Sequence, residues 1–272
     1  SYSNSKKDLC SVVVDGFGDR STASISQVID PTEINELWEC LYPVSLGLFY
    51  SSITDYLGFA INEGEYKVMG LSSFGNSNSK LAKLVSGLMD WDSKSNKLIS
   101  DMSYFDYHLS TSNSYSNKLV DLLGPARNPF VPLIPGDKDF QRCADIARGA
   151  QDLTVNLLCK IFTHAYKLTS SRRFMFSGGV SMNSAAIDSI AQLPFVDEII
   201  IPPSPGDAGC AIGAAFYCYI KSNFYKNLNI TKPSLFPSMT ETTDNEFLTE
   251  KIISQEFNIL EKNQDDAFLR AA

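Results

Sequence analysis

Histidine is scarce in this sequence: His108 and His164 are the only two among 272 residues, and they lie far apart along the chain. A metal centre made of several imidazoles therefore cannot come from this chain alone. No run of about 18 apolar residues occurs, so no membrane-spanning helix is expected. No Lys/Arg cluster stands out and the net charge is −8. That argues against a protein that holds nucleic acid by releasing counterions from phosphates. No Cys-x-x-Cys pair is present. The six cysteines, Cys10, Cys40, Cys143, Cys159, Cys210 and Cys218, are scattered. Most sit in apolar contexts, which points to buried free thiols in a reducing, cytoplasmic compartment. The sequence starts at Ser1 rather than at an initiator Met, and no signal peptide is read at its start.

What is present centres on Ile199–Ala215, IIIPPSPGDAGCAIGAA. Its short apolar start reads as a buried strand. Pro202, Pro203, Pro205 and Gly206 then form a rigid turn, and Asp207 stands where a helix begins. An acidic residue at a helix start satisfies free N–H groups and suits the helix dipole. Small residues at Ala208, Gly209, Ala211, Gly213, Ala214 and Ala215 would let that helix lie close to another backbone or a ligand. Strand, tight turn and helix start together are where α/β proteins place nucleotides and metals. The same stretch is also what a capped helix packed on a sheet needs.

In chain order, Leu9–Val14 reads as a central strand and Thr22–Ile29 as its return, joined by the turn Asp15-Gly16-Phe17-Gly18-Asp19. Such a turn can cup a phosphate or metal, or be an ordinary Asp-Gly hairpin. Ile34–Trp38 reads as a third strand and Val44–Phe59 as a helix with core aromatics. Asn62–Gly75 is punctuated by Gly64, Gly70 and Gly75 and reads as a loop. There Glu65 and Lys67 flank Tyr66, either as an ion pair on a solvated turn or as charges aimed at a ligand. Ser79–Leu88 reads as a helix, with short strands at Lys97–Ile99 and Tyr104–Tyr107 and a surface position for His108. Lys138–Leu168 is the strongest helical pattern, with Ile146, Ala150, Leu153, Val155, Leu157, Leu158 and Ile161 on its apolar face. His164 lies on that helix as a core or surface residue. Phe174–Phe176 is a strand, Ser177-Gly178-Gly179 a turn, Val180–Gln192 a helix and Val196–Ile201 the next strand. Two adjacent strand–glycine–helix units are more specific than either one. Residues 1–222 form one domain. Residues 223–272 read as a linker, with a glycosylation sequon at Asn229 and a helix over Phe247–Phe257.

Three motifs, GEYKVMGL at Gly64–Leu71, SGGVSMN at Ser177–Asn183 and PGDAGCAIGAA at Pro205–Ala215, resemble the carbamoyltransferase family. That family includes nodulation protein U and the cephamycin and tobramycin carbamoyltransferases. VVVDGFG at Val12–Gly18 and YPVSLGLFYSSITDYLGF at Tyr42–Phe59 resemble it too, and the likeness runs from Leu9 to Lys221. It implies an α/β, ribonuclease-H-like lobe of the actin/Hsp70/sugar-kinase ATPase superfold, a mixed sheet flanked by helices. It implies transfer of a carbamoyl group to a hydroxyl of a small-molecule acceptor, from an adenylate made of carbamoyl phosphate and ATP. By the same resemblance Asp15 and Asp207 bind a divalent metal, expected as Fe2+, with Mg2+ also allowed. Gly16, Gly178, Gly179, Val180, Asn183 and Gly206 contact the nucleotide, and Glu65 and Lys67 serve the transfer site. The family's His-x-x-x-His pair and its second domain have no counterpart in these residues, so the chain reads as a partial enzyme, inactive alone. No membrane or nucleic-acid partner is expected, and a homodimer is left open. The alternatives are a kinase or ATPase of the same superfold, or a non-catalytic binding module.

Overall fold

A computed structural model of the chain describes residues 9–30 and 33–221. All of them fall in the first of two compact units, Ser1–Lys226. The linker, sequon and helix expected beyond residue 222 lie outside the described residues.

The architecture follows from one alternating strand. In β1 (Leu9–Val14) Cys10, Val12 and Val14 are fully buried, while Ser11 and Val13 face the other way, half-buried. This is the period-2 pattern of a strand with one face on the core. On its one side β1 pairs antiparallel with β2 (Ser21–Asp30), which pairs antiparallel with β3 (Glu33–Leu41). On its other side it pairs parallel with β6 (Arg173–Ser177), which pairs parallel with β7 (Glu198–Ile200). The result is a mixed sheet in the order β3-β2-β1-β6-β7. The parallel side needs long connections, and helices supply them.

The helices are α1 (Leu46–Tyr56), α2 (Glu65–Ser72), α3 (Lys80–Ser86), α4 (Asn117–Leu123), α5 (Lys138–Thr169), α6 (Ser184–Ala191) and α7 (Gly209–Lys221). A small hairpin, β4 (Met89–Asp92) with β5 (Lys97–Ser100), lies between α3 and α4 in the chain. The 32-residue α5 is the central pillar. Its Phe162 meets Phe174 and Phe176 of β6, with ring centroids 5.3 and 5.2 Å away. Close packing on α5 depends on glycine. A Cβ on Gly149 would stand 2.4 Å from the Ala82 carbonyl of α3, and one on Gly75 would stand 2.2 Å from the Ala144 carbonyl of α5. The backbones there touch directly.

Several expectations change. Asn62–Gly75 is not an open loop, because Glu65–Ser72 is helical. Glu65 places its negative charge in the first turn, where it suits the helix dipole, and its carboxylate accepts the Asn62 and Gly64 N–H groups of the preceding turn; this offsets the poor helix propensity of Gly70. The strand expected at Tyr104–Tyr107 is a 3-10 turn at Met102–Tyr104, followed by a single bridge between Phe105 and Tyr115. The helix expected over Val180–Gln192 is divided. A 3-10 turn covers Gly179–Met182, and Asn183 then caps α6. Val155 is half-buried against the core and also lines a groove. The cysteines are all free, yet only Cys10, Cys40 and Cys143 are buried; Cys210 and Cys218 are exposed on α7. From Ala211 to Cys218 every side chain of α7 is exposed among the described residues. Of its glycines only Gly209 makes a close approach, to the Ser204 carbonyl, whereas Gly213 has nothing nearby.

Two consequences are measurable. Gly149→Ala should lower stability by about 1–3 kcal/mol by overpacking α3 against α5; an unchanged denaturation midpoint would mean the helices separate freely. Burial pushes the Cys10 thiol up to about 11 from 9.0. Between those values the unfolded chain has released a proton that the folded chain keeps, so stability falls as pH rises from about 9 to 11. Cys10→Ala should make that fall shallower, and an identical pH slope in the variant would contradict the assignment.

Candidate functional site

Three turns meet at the carboxyl ends of the parallel strands. The first follows β1 and begins at Asp15-Gly16. Its shape is set by local bonds: the Asp15 N–H donates to the Thr22 carbonyl (2.9 Å), and the Gly16 N–H donates to Asp15 Oδ1 (2.7 Å). Ser45 holds the turn from α1. Its hydroxyl donates to the Gly16 carbonyl at 2.7 Å, while its oxygen accepts the Leu48 N–H as the cap of α1. Gly47 must be glycine for this contact, since a Cβ would lie 2.5 Å from the Gly16 nitrogen.

The second turn follows β6. Gly178 has φ +88°, and a Cβ there would fall 2.1 Å from the Val14 carbonyl oxygen. No side chain fits. Gly179 is next to Asp15: its Cβ would stand 3.2 Å from Asp15 Oδ1. Gly179 and Val180 open the 3-10 turn, so their N–H groups have no acceptor within it. The third turn follows β7. The Gly178 N–H donates to the Pro205 carbonyl at 2.7 Å, which ties the Pro205-Gly206-Asp207 turn to the glycine pair. Gly206 has open space where a Cβ would be, and Asp207 is exposed. Asp15, Gly16, Gly178, Gly179, Val180, Gly206 and Asp207 thus belong to three turns joined at one end of the sheet.

Asn183 is differently employed. Its Oδ1 accepts the Ala186 N–H (3.1 Å) and the Gln151 Nε2 (2.9 Å), and its Nδ2 donates to Gln151 Oε1 (3.0 Å). Tyr50 also donates its hydroxyl to Gln151 Oε1, at 3.0 Å. Burial, and then the charge of Glu65, push the Tyr50 hydroxyl up, so it stays a donor at physiological pH. Glu65 and Lys67 do not pair with each other. Two residues apart on a helix, they point away from one another. Glu65 Oε1 accepts from Ser51 (2.8 Å) and the Asn62 N–H (3.0 Å), and Oε2 accepts the Gly64 N–H (3.2 Å). The Lys67 amine is exposed and stands 5.8 Å from the Phe59 and Tyr66 ring centres.

A groove of about 880 Å³ runs along α5, reaching Met69 of α2 and Ser184 and Ala185 of α6 at one end and His164 and Lys167 at the other. Burial, with Lys167 nearby, lowers the His164 pKa. Its ring packs edge-on against Trp38 and tilted against Trp91, two rings that touch each other, and it takes no place in the turn cluster. His108, expected at the surface, is half-buried, with Nδ1 sealed from solvent and unpartnered. Among the described residues no three His, Cys, Asp or Glu side chains gather into a metal-binding group. No helix among them is long and apolar enough to cross a membrane.

Sequence reasoning missed two site residues. Ser45 carried a signal, because a Ser directly before a helical pattern is a cap candidate. Gln151 carried one too: a lone amide on the buried face of an amphipathic helix must find a partner.

Residues 2–216 match the model of the carbamoyltransferase N-terminus. The chain belongs to the carbamoyltransferase family. Its relatives include the uncharacterized protein sll1178 of Synechocystis sp., 35% identical over 205 residues, which span 74% of this chain and 31% of that protein. Nodulation protein NolO of Bradyrhizobium diazoefficiens is 29% identical over 203 residues, 74% of this chain and 33% of the relative. Nodulation protein NolNO of Sinorhizobium fredii is 26% identical over 205 residues, 75% of this chain and 27% of the relative. The chain spans about a third of the length of the relatives it matches. The matched stretch of this carbamoyltransferase domain contains all three turns.

The turns make a sharp prediction. Gly178→Ala should cost about 1–3 kcal/mol for its backbone conformation alone, and more for the Val14 contact. Gly206→Ala should be close to neutral in stability. Equal denaturation midpoints for the two variants would show that the turns are not locked together.

Proposed function

We propose that the whole protein is an O-carbamoyltransferase that takes the carbamoyl group from carbamoyl adenylate, itself formed from carbamoyl phosphate and ATP, to a hydroxyl of a small-molecule acceptor. One observation carries this reading. In a member of the carbamoyltransferase family, three turns at the carboxyl ends of β1, β6 and β7 are bonded together around a glycine pair. That is where open α/β sheets bind phosphate-bearing ligands. The antiparallel meander β3-β2-β1, continued by parallel β6 and β7, supports a lobe of the actin/Hsp70/sugar-kinase ATPase superfold.

Each residue has a part in this scheme. Gly178 and Gly179 keep side chains out of the way so that backbone N–H groups approach phosphate oxygens. Gly206 does the same from the third turn, and Gly16, whose N–H is held by Asp15 Oδ1, keeps its position in the first turn free of a side chain. Asp15 and Asp207 would hold a divalent cation, supplying two hard oxygen donors, a set as suited to Mg2+ as to Fe2+. When bound, such an ion neutralises phosphate charge and polarises a carbonyl. Transfer forms a bond between the acceptor oxygen and the carbamoyl carbon. The bond from that carbon to the adenylate phosphate oxygen breaks, AMP leaves with the electron pair, and the hydroxyl proton passes to solvent. Glu65 acts by shaping the start of α2, because its carboxylate oxygens already accept three hydrogen bonds. Lys67, exposed and held over two aromatic rings, is the cation available to meet an anionic group.

The test uses the full-length protein with ATP, carbamoyl phosphate, a divalent cation and a panel of hydroxyl compounds. The expected products are inorganic phosphate from carbamoyl phosphate, pyrophosphate and AMP from ATP, and an acceptor heavier by one carbamoyl group in mass spectrometry. ADP with a phosphorylated acceptor, formed without carbamoyl phosphate, would instead mark a kinase. Asp15→Asn and Asp207→Asn should each weaken cation binding in calorimetry with the thermal midpoint unchanged. Full cation affinity in both variants would remove these residues from the metal site.

A further inference from the structure

We propose that Gln151, backed by Tyr50, is a positioning residue for the nucleotide turn, acting through Asn183. The inference rests on the carbamoyltransferase reading above for what the turn binds, and on geometry alone for what holds the turn. Gln151 is 5% exposed and lies in the middle of α5, on the buried face that also carries Ala147, Ala150 and Leu158. A buried amide with free donors or acceptors is costly, so its bonds define its orientation. Here one arrangement gives each amide nitrogen and oxygen a partner. The Ala186 N–H at the start of α6 donates to the Asn183 backbone carbonyl and also, at 3.1 Å, to the Asn183 side-chain oxygen. That oxygen faces the Gln151 Nε2, and the Asn183 Nδ2 then faces the Gln151 Oε1. The Gln151 oxygen accepts a second bond from the Tyr50 hydroxyl, which is itself 6% exposed on α1.

The two amides therefore form a closed pair, and a phenol on a third helix fixes which way round it sits. Asn183 ends the 3-10 turn that Gly178 and Gly179 begin, and its N–H donates to the Val180 carbonyl at 3.1 Å. Its position sets the path of the glycine backbone. Tyr50 lies one residue before Ser51, the partner of Glu65, and five after Ser45, the partner of the Asp15-Gly16 turn. The same short helix thus braces the first turn directly and the second through Gln151. This relay accounts for a polar residue at the centre of the pillar helix, where leucine or methionine would otherwise pack.

The experiment compares wild type, Q151M, Q151E, Y50F and the Y50F/Q151M double variant of the full-length protein. It reads KM for ATP against kcat in carbamoyl transfer, and hydrogen exchange at the Asn183 and Ala186 amides against that of β1. Q151M strands the Asn183 amide, and Q151E sets a carboxylate against the Asn183 oxygen. Both should raise KM for ATP about tenfold, with kcat near wild type, and speed exchange at those two amides by a similar factor. Y50F should give about a threefold effect, and the double variant should be no worse than Q151M. A lowered thermal midpoint with unchanged KM and unchanged exchange at the turn would reduce Gln151 to a core residue and overturn the proposal. If Q151M does not fold, Y50F carries the same test, and wild-type turn exchange there has the same meaning. If wild type itself uses no ATP, the carbamoyltransferase reading falls, and the exchange rates alone decide whether Gln151 holds the turn.

Discussion

The contact of Gly178 with its two neighbours is the constraint on which the structure depends. Its absent side chain lets β6 lie against the Val14 carbonyl of β1, and its N–H reaches the Pro205 carbonyl after β7. Three strands that are parallel and adjacent thus end in three turns with one shared residue. A methyl group would push all three apart. The positive φ adds a second reason for glycine, since L side chains are disfavoured there. Everything proposed for ligand chemistry depends on this junction remaining closed.

Around it, the helices do two kinds of work. α1 and α5 brace the turns with polar groups, through Ser45 and through the Tyr50–Gln151–Asn183 relay. α2 and α3 pack on α5 by backbone contact at Gly75 and Gly149. The first kind fixes geometry to within a hydrogen bond; the second supplies apolar burial. The site sits where rigid elements end, which is how α/β folds give loops both freedom and precision.

Much of this was legible in the sequence. β1, α5 and β6 announced themselves by period and length, because each buries one face and the pattern carries that fact. The glycine pair and the Pro-Gly-Asp turn were visible because only turns need those residues. The helix at Glu65–Ser72 was not legible, since Gly64, Gly70 and Gly75 punctuate that stretch and the helix is held by contact with α5 and by the bonds of Glu65 to the preceding turn. The strand assigned to Tyr104–Tyr107 failed for a related reason: aromatic residues fit a strand, but Phe105 and Tyr107 pack on each other and on the core instead. The apolar composition of α7 suggested close packing, yet Ala211–Cys218 are exposed among the described residues. Composition gives no information about what covers a face. The bond from Gly178 to Pro205 was equally hidden, because it joins residues 27 positions apart through strand order alone.

The central claim is that the three turns form one cation- and phosphate-binding cluster. Paramagnetic broadening by Mn2+ in the presence of ATP, read by NMR on backbone amides, tests it most directly. The account predicts that Gly16, Gly179 and Asp207 broaden together at the same low Mn2+ concentration, and that Asp15→Asn abolishes all three effects. Broadening spread over exposed acidic side chains elsewhere, with these three amides untouched, would contradict it.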